Sequence, residues 1–213
     1  ITSDATGTIS VKVGSLNTIS IVDAEGSSSA AIDTLTLTAD ADYTFYLAGY
    51  DQDQNFIRNI NAQWSIQGNM GSLSTGDSFS SSTKFTASTV GSGAIKADTA
   101  SFSDITGAIT ITNGELAKLI IRDGTNGGGV EVADISLTTD ENILLYAAGY
   151  DADDNYISDV AASWSSTGNL DQVNAEASSY TFEPTTAPSS GTIVVQKSGI
   201  ASDATGAISV IQG

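Results

Sequence analysis

A stretch of 21 residues occurs twice in this chain, 100 residues apart, first at residues 49–69 and again at residues 149–169. Eleven of the 21 aligned positions are identical, among them Gly49/Gly149, Tyr50/Tyr150, Asp51/Asp151, Asp53/Asp153, Asn55/Asn155 and Trp64/Trp164. A repeat of that period leaves few architectures open. The 213 residues become two small domains of one kind, each able to bury a modest core. A second repeated block sets the boundaries. Ser-Asp-x-Thr-Gly followed by an alternating run occurs at Ser3, Ser103 and Ser202, and each copy ends at a glycine: Gly14, Gly114 and Gly213. The block therefore closes a repeat. Residues 1–14 are expected to be the closing strand of a preceding repeat, residues 15–114 one domain and residues 115–213 the next. Only Thr112, Asn113, Gly114 and Glu115 separate Ile111 from Leu116, too few for a flexible linker.

Within each repeat, apolar residues alternate with polar ones over short runs, the pattern of strands with one buried face. Ile19 and Ile21 match Leu119 and Ile121; Tyr43, Phe45 and Leu47 match Ile143, Leu145 and Ala147. Ile60, Ala62 and Trp64 match Val160, Ala162 and Trp164, and Ile109 and Ile111 match Ile208 and Val210. No window of ten residues has helical periodicity. The expected fold class is all-β, with seven or eight strands per repeat stacked as a sandwich. Trp64 and Trp164 share a face with core residues, so they are expected between the sheets rather than as sugar platforms.

Charge and composition narrow the function. Twenty-five acidic residues against seven basic ones give a formal charge of −18, which disfavours nucleic acid and anionic membrane surfaces as partners. With no cysteine and no histidine, disulfides, thiolate chemistry and the commonest general base are excluded. No apolar run is long enough to insert into a membrane. No Asn-x-Ser/Thr sequon is present. The acidic residues follow the repeat and form no separate pair, so catalytic residues and a bound organic cofactor are not expected.

The acidic turns are the candidate binding sites. Asp51, Asp53 and Asn55, repeated as Asp151, Asp153 and Asn155, put alternate oxygens on a tight loop that could converge on calcium, with Asp159 as a further ligand in the second repeat. Calcium takes six to eight oxygens, so three side chains need help from backbone carbonyls. The competing reading is a hairpin turn, where Asp and Asn bond the local backbone. Tyr50 and Tyr150 fall on the parity opposite the core and are candidate exposed aromatics for a carbohydrate ligand.

The Tyr-Asp-x-Asp-x-Asn hairpin leads into a strand with Trp64 or Trp164 and then Ser-x-x-Gly-Asn, and a late strand runs Gly91 to Ala97. In these features both repeats resemble the bacterial immunoglobulin-like repeats of invasin-type surface adhesins. The resemblance implies two tandem immunoglobulin-like sandwiches on the cell surface. They would be part of a semi-rigid stalk, fibre or surface layer, with neighbouring repeats or other copies of the chain as partners. The alternative it allows is an adhesive module that binds carbohydrate or a receptor directly. The family usually has glycine before the Asn of the turn; here Gln54 and Asp154 stand there.

Overall fold

The computed structural model describes residues 4–213, and among them there is no helix. The chain separates into two compact units, the first ending at Thr112 and the second spanning Asn113–Gly213. Unit 1 contains β1 (Thr18–Val22), β2 (Thr34–Thr38), β3 (Asp42–Tyr50), β4 (Phe56–Asn59) and β5 (Gln63–Gln67). It continues with β6 (Gly71–Leu73), β7 (Ser82–Ala87), β8 (Gly91–Asp98), β9 (Ser103–Ile105) and β10 (Ala108–Thr112). One sheet has the order β1-β3-β7-β6 and the other β2-β10-β8-β5, with β4 and β9 as short additions to β3 and β8. Two four-stranded layers with this crossover pattern make an immunoglobulin-like sandwich. Among the described residues of this unit the strand pairings are antiparallel except one: β10, the last strand, runs parallel to β2, from Ala108 against Thr34 to Thr112 against Thr38.

Unit 2 repeats the plan. It contains β11 (Lys118–Arg122), β12 (Ile135–Thr138), β13 (Ile143–Tyr150), β14 (Tyr156–Asp159), β15 (Ala162–Ser166) and β16 (Asn174–Ala177). After these come β17 (Ser179–Phe182), β18 (Ser189–Gly191), β19 (Ile193–Lys197), β20 (Ile200–Ala204) and β21 (Ile208–Ile211). Its closing strand β21 again lies parallel to an early strand, β12, with Ile208 opposite Ile135 and Val210 opposite Leu137. Strand β11 begins at Lys118, six residues after the end of β10.

The alternation read from the sequence carries through to the core. Ile21, Phe45, Leu47, Trp64, Phe85, Ile95, Ile109 and Ile111 pack together in unit 1. Leu119, Ile121, Leu145, Trp164, Phe182, Ile193, Ile208 and Val210 do so in unit 2. The two Trp rings are buried, and each indole N–H donates to a backbone carbonyl, Ser80 for Trp64 and Ala177 for Trp164. A buried indole needs such a partner.

The repeats differ in two places: in unit 2 the short strand β20 pairs in parallel with β11, Lys118 opposite Ala201, which joins the strands on either side into one sheet, and the segment after β15 pairs differently. In unit 1, β6 pairs with β7. There Gly71 lies so close to the facing strand that a Cβ would sit 2.0 Å from the Thr86 carbonyl oxygen. The corresponding residue in unit 2 is Asp171, whose side chain forbids that approach. Its carboxylate instead accepts hydrogen bonds from Thr185 and Thr186. The next segment, β16, pairs with β15.

Residues 4–13 belong to no strand, and Ile9 and Val11 are exposed. Unit 1 is closed by its own β10. Residues 1–3 of the expected leading strand lie outside the described residues.

Candidate functional site: the acidic turns

The β3–β4 hairpin is tight and places Gln54 at φ 64; the matching hairpin between β13 and β14 places Asp154 at φ 69. Both positions are left-handed, a conformation that favours glycine. The turn is stabilised from within by its first carboxylate. Asp51 is 3% exposed and Asp151 0%, although both sit in surface turns. Asp51 Oδ1 accepts the N–H of Asp53 at 3.0 Å and of Asn55 at 2.9 Å, while the Asn55 side-chain amide donates to both carboxylate oxygens at 3.1 Å. Asp51 Oδ2 accepts the Gly14 N–H at 2.8 Å. Asp151 repeats the set, with Gly114 N–H donating to its Oδ2 at 3.0 Å.

Each first carboxylate therefore does two things. It shapes its own turn, and it grips the chain 37 residues upstream, where the incoming segment enters the unit. A Cβ on Gly14 would lie 3.2 Å from the Asp51 Cβ, so a larger residue would press on the carboxylate it donates to. Just beyond, the Asn17 N–H donates to the Tyr50 carbonyl and the Ala117 N–H to the Tyr150 carbonyl, both at 2.8 Å. In unit 2 the Asn113 side chain adds a bond to the Tyr156 carbonyl at 2.9 Å.

These bonds set the ionisation. The Gly14 N–H, followed by the Asn55 N–H, holds the Asp51 carboxyl below its ordinary range. Burial pushes Asp151 upward, but the Gly114 N–H and the Asn155 amide outweigh it, and the net shift is also downward.

The remaining residues named as calcium ligands do not join these carboxylates in one oxygen shell. Asp53 and Asp153 are exposed, and each backbone N–H caps the preceding carboxylate. Asn55 and Asn155 present amide nitrogens, not oxygens, to Asp51 and Asp151. Asp159 faces a different group: it accepts from the Thr125 hydroxyl at 2.8 Å, the Asn126 N–H at 3.0 Å and the Tyr156 hydroxyl at 3.0 Å. Burial, then the bond to Asp159, pushes the Tyr156 hydroxyl up to about 12. Among the described residues no three acidic side chains converge. The donor set fits N–H groups and does not fit a calcium ion, which needs six to eight oxygens. The counterpart of Asp159 is Asn59, whose side-chain amide is buried without a hydrogen-bond partner.

Tyr150, expected as an exposed aromatic, is 8% exposed and meets Tyr156 edge-on with ring centroids 5.7 Å apart. Opposite parity did not mean exposure, because the β13–β14 hairpin folds back over that face. Tyr50 is half-buried against Phe56 and lines an open cleft of about 480 Å³ with Thr18, Ser20 and Gln54.

The Ser-Asp-x-Thr-Gly block is a structural lock that residue spacing alone does not reveal. Asp104 Oδ2 accepts the Ile21 N–H at 2.6 Å and Asp203 Oδ2 the Ile121 N–H at 2.7 Å, tying the block to the first strand of its unit. The Thr106 and Thr205 hydroxyls are buried and accept from Ile95 and Ile193. Gly107 passes so near Asp33 that a Cβ would be 1.5 Å from its carbonyl oxygen.

No family model matches the chain, and no curated protein matches it. Among solved structures, the chain is similar to domains 4–9 of the surface layer protein SbsC, at 16% identity and TM-score 0.35, covering 93% of this chain and 32% of that one. It is similar to the Escherichia coli adhesin FdeC at 15% identity and TM-score 0.41, covering 95% and 67% of the two chains. It is also similar to the Yersinia pseudotuberculosis adhesin InvE at 10% identity and TM-score 0.32, covering 83% and 56%. The chain thus spans about a third of the SbsC chain it matches, and none of these three likenesses reaches a TM-score of 0.5.

Proposed function

We infer that this chain is a non-enzymatic, load-bearing pair of repeats from an extracellular surface array. The observation that carries the reading is the parallel pairing of an early strand with the closing strand in each unit, β2 with β10 and β12 with β21. Tension across the two ends of a unit pulls such strands in opposite directions along their length. The hydrogen bonds of the ladder are then loaded together in shear, rather than opened one at a time. The Asp51 and Asp151 clasps fit the same role, since each fastens the incoming segment to its unit. The acidic residues recur with the repeat and no three of them converge among the described residues, which supports the non-enzymatic reading.

Single-molecule pulling on the full chain tests this. Pulled from its ends, the chain should give two unfolding events at forces well above those seen when the load is applied across the β2–β10 ladder. Equal forces in the two geometries would sink the load-bearing reading. A second reading, a carbohydrate-binding adhesive module, draws on the cleft beside Tyr50. Reproducible binding on a glycan array, lost in Tyr50→Ala, would favour it. Calcium is expected to leave melting unchanged relative to chelator, because the buried carboxylates already accept N–H groups. A gain of about 2.7 kcal/mol at 100 times the dissociation constant would restore a metal site.

A further inference from the structure

Strand β5 is the outer strand of its sheet, paired on one side with β8 from Gln63 opposite Asp98 to Gln67 opposite Ala94. Backbone N–H and C=O groups along a strand point alternately to its two sides. Ala62 shows which residues point away from β8: its N–H donates to the Ser80 carbonyl and its carbonyl accepts the Ser80 N–H, both at 3.0 Å, across the outer edge. Trp64 and Ile66 follow at the same parity, so their N–H and C=O groups also face outward. The segment leading into Ser80 is a turn, in which the Ser78 N–H donates to the Thr75 carbonyl, and it does not continue along the edge. Among the described residues the four outward groups of Trp64 and Ile66 meet no partner. In unit 2 the same edge is filled: β16 pairs with β15 from Ala177 opposite Ala162 to Asn174 opposite Ser165. This edge of the fold therefore has the geometry to take an antiparallel strand.

The bare edge is also uncharged. From Gln54 to Gly76 the chain has no acidic residue, whereas the matching run 154–176 holds Asp154, Asp159, Asp171 and Glu176. On the outer face of β5, Gln63 and Gln67 are exposed and Ser65 is half-buried. The charges one strand back on that face, Lys96 and Asp98 of β8, form an ion pair with each other at 2.8 Å. Open edges are commonly guarded by a charge or a Pro, and β5 carries neither. In a chain of formal charge −18, two copies can meet here without setting carboxylate against carboxylate.

We propose that β5 is a self-pairing edge, which takes β5 of a second copy of this chain as its antiparallel neighbour about a two-fold axis at Ser65. One register uses all four outward groups. Trp64 exchanges both bonds with Ile66 of the second copy, and Ile66 does the same with Trp64 of the second copy. A shift by two residues would bring one pair onto Ala62, whose groups Ser80 already holds, or onto Gly68, where φ 110 ends the strand. On the inner face, Ile66 is half-buried against the core and gains Trp64 of the second copy beside it. On the outer face, Gln63 stands opposite Gln67 of the second copy. Two-fold pairing of this kind is self-complementary and closes after two copies. A contact of five residues a side is small, so single chains pair weakly, and copies held side by side in an array pair more firmly. The pairing is independent of the load-bearing reading: equal pulling forces in the two geometries would leave it intact.

Two measurements on the full chain decide it. Sedimentation at about 0.15 M salt, where repulsion between distant charges is screened, is expected to show a monomer–dimer equilibrium at chain concentrations up to about 1 mM. Gln63→Lys with Gln67→Lys sets like charges opposite each other at both ends of the seam and should weaken the dimer about tenfold. Gln63→Lys with Gln67→Glu sets opposite charges there and should leave the dimer at least as strong as the parent. Both positions are exposed, so the dilute chain should melt alike in the two variants. The second measurement uses the absence of cysteine from the chain. Opposite residues in a non-hydrogen-bonded pair lie close enough for a disulfide. Ser65→Cys should therefore give a covalent dimer on mild oxidation, while Ser165→Cys, on the strand that β16 covers, stays monomeric. A chain that is monomeric throughout and yields no Ser65→Cys dimer overturns the proposal. So does a dimer that the two charge variants affect equally, or one that Ser165→Cys captures as readily as Ser65→Cys.

Discussion

At the scale of residues, the molecule depends on a few groups that are buried and fully bonded. Trp64 and Trp164 fill the space between the sheets, and each indole N–H finds a backbone carbonyl, that of Ser80 or of Ala177. Trp164 further stacks on Tyr180 at a centroid distance of 6.2 Å. Truncating either Trp to Ala is expected to destabilise its own unit by about 3–5 kcal/mol through the cavity left behind. Denaturant unfolding should then show one transition displaced and the other unchanged. Asp51 and Asp151 matter differently. They bury charge in order to satisfy backbone N–H groups, so Asp51→Asn or Asp151→Asn replaces a uniformly accepting group with one that presents an NH₂ to other donors. Hydrogen exchange at Gly14 or Gly114 is expected to quicken in the matching variant, and unaltered exchange there would remove the clasp role.

At the scale of elements, the two hairpins carry a known strain. Gln54 at φ 64 and Asp154 at φ 69 occupy positions where a side chain is disfavoured. Asp154 has a compensating ion pair with Lys118, and short Asp side chains tolerate this region. Gln54 has neither advantage. Gln54→Gly is expected to raise the melting temperature of unit 1, by an amount that reflects about 1 kcal/mol, and Asp154→Gly by less. The edge pairings differ between the units: β6 pairs with β7 in unit 1, and β16 pairs with β15 in unit 2. Gly71 lets unit 1 pair β6 with β7, whereas Asp171 stands in its place in unit 2 and forms a cap on Thr185 and Thr186.

At the scale of the whole molecule, the chain holds 25 acidic residues, and several of them are held ionised by hydrogen bonds. The Thr186 hydroxyl and Thr185 N–H draw Asp171 down to about 2. Asp51, Asp151 and Asp159 are also lowered. A carboxylate with a depressed folded-state pKa contributes stability that is present above its unfolded value and is lost as pH falls through the folded one. Melting should therefore hold level down to about pH 4 and then fall steadily towards pH 2. A melting temperature that rose on acidification, through relief of the net charge of −18, would show that repulsion outweighs these bonds.

Much of this fold was legible in the sequence because its determinants are local or repeated. Period-2 alternation assigns each strand a buried face without reference to any other strand, so Ile19, Phe45, Trp64, Ile109 and their counterparts could be placed in the core before their partners were known. The 100-residue duplication and the Trp positions were equally visible. What only the tertiary structure decided are the contacts that join distant segments. Asp51 and Asp53 look alike in a turn, yet the fold brings the Gly14 N–H to one and leaves the other in solvent. Tyr150 has the parity of an exposed residue and is covered by its own hairpin. Carboxylates near each other in sequence can face a cation or a set of N–H donors, and the donors here come from 37 residues away as well as from the turn itself. The strand alternation depends on neighbouring residues alone; the direction in which a polar group points depends on which backbone the whole fold delivers to it.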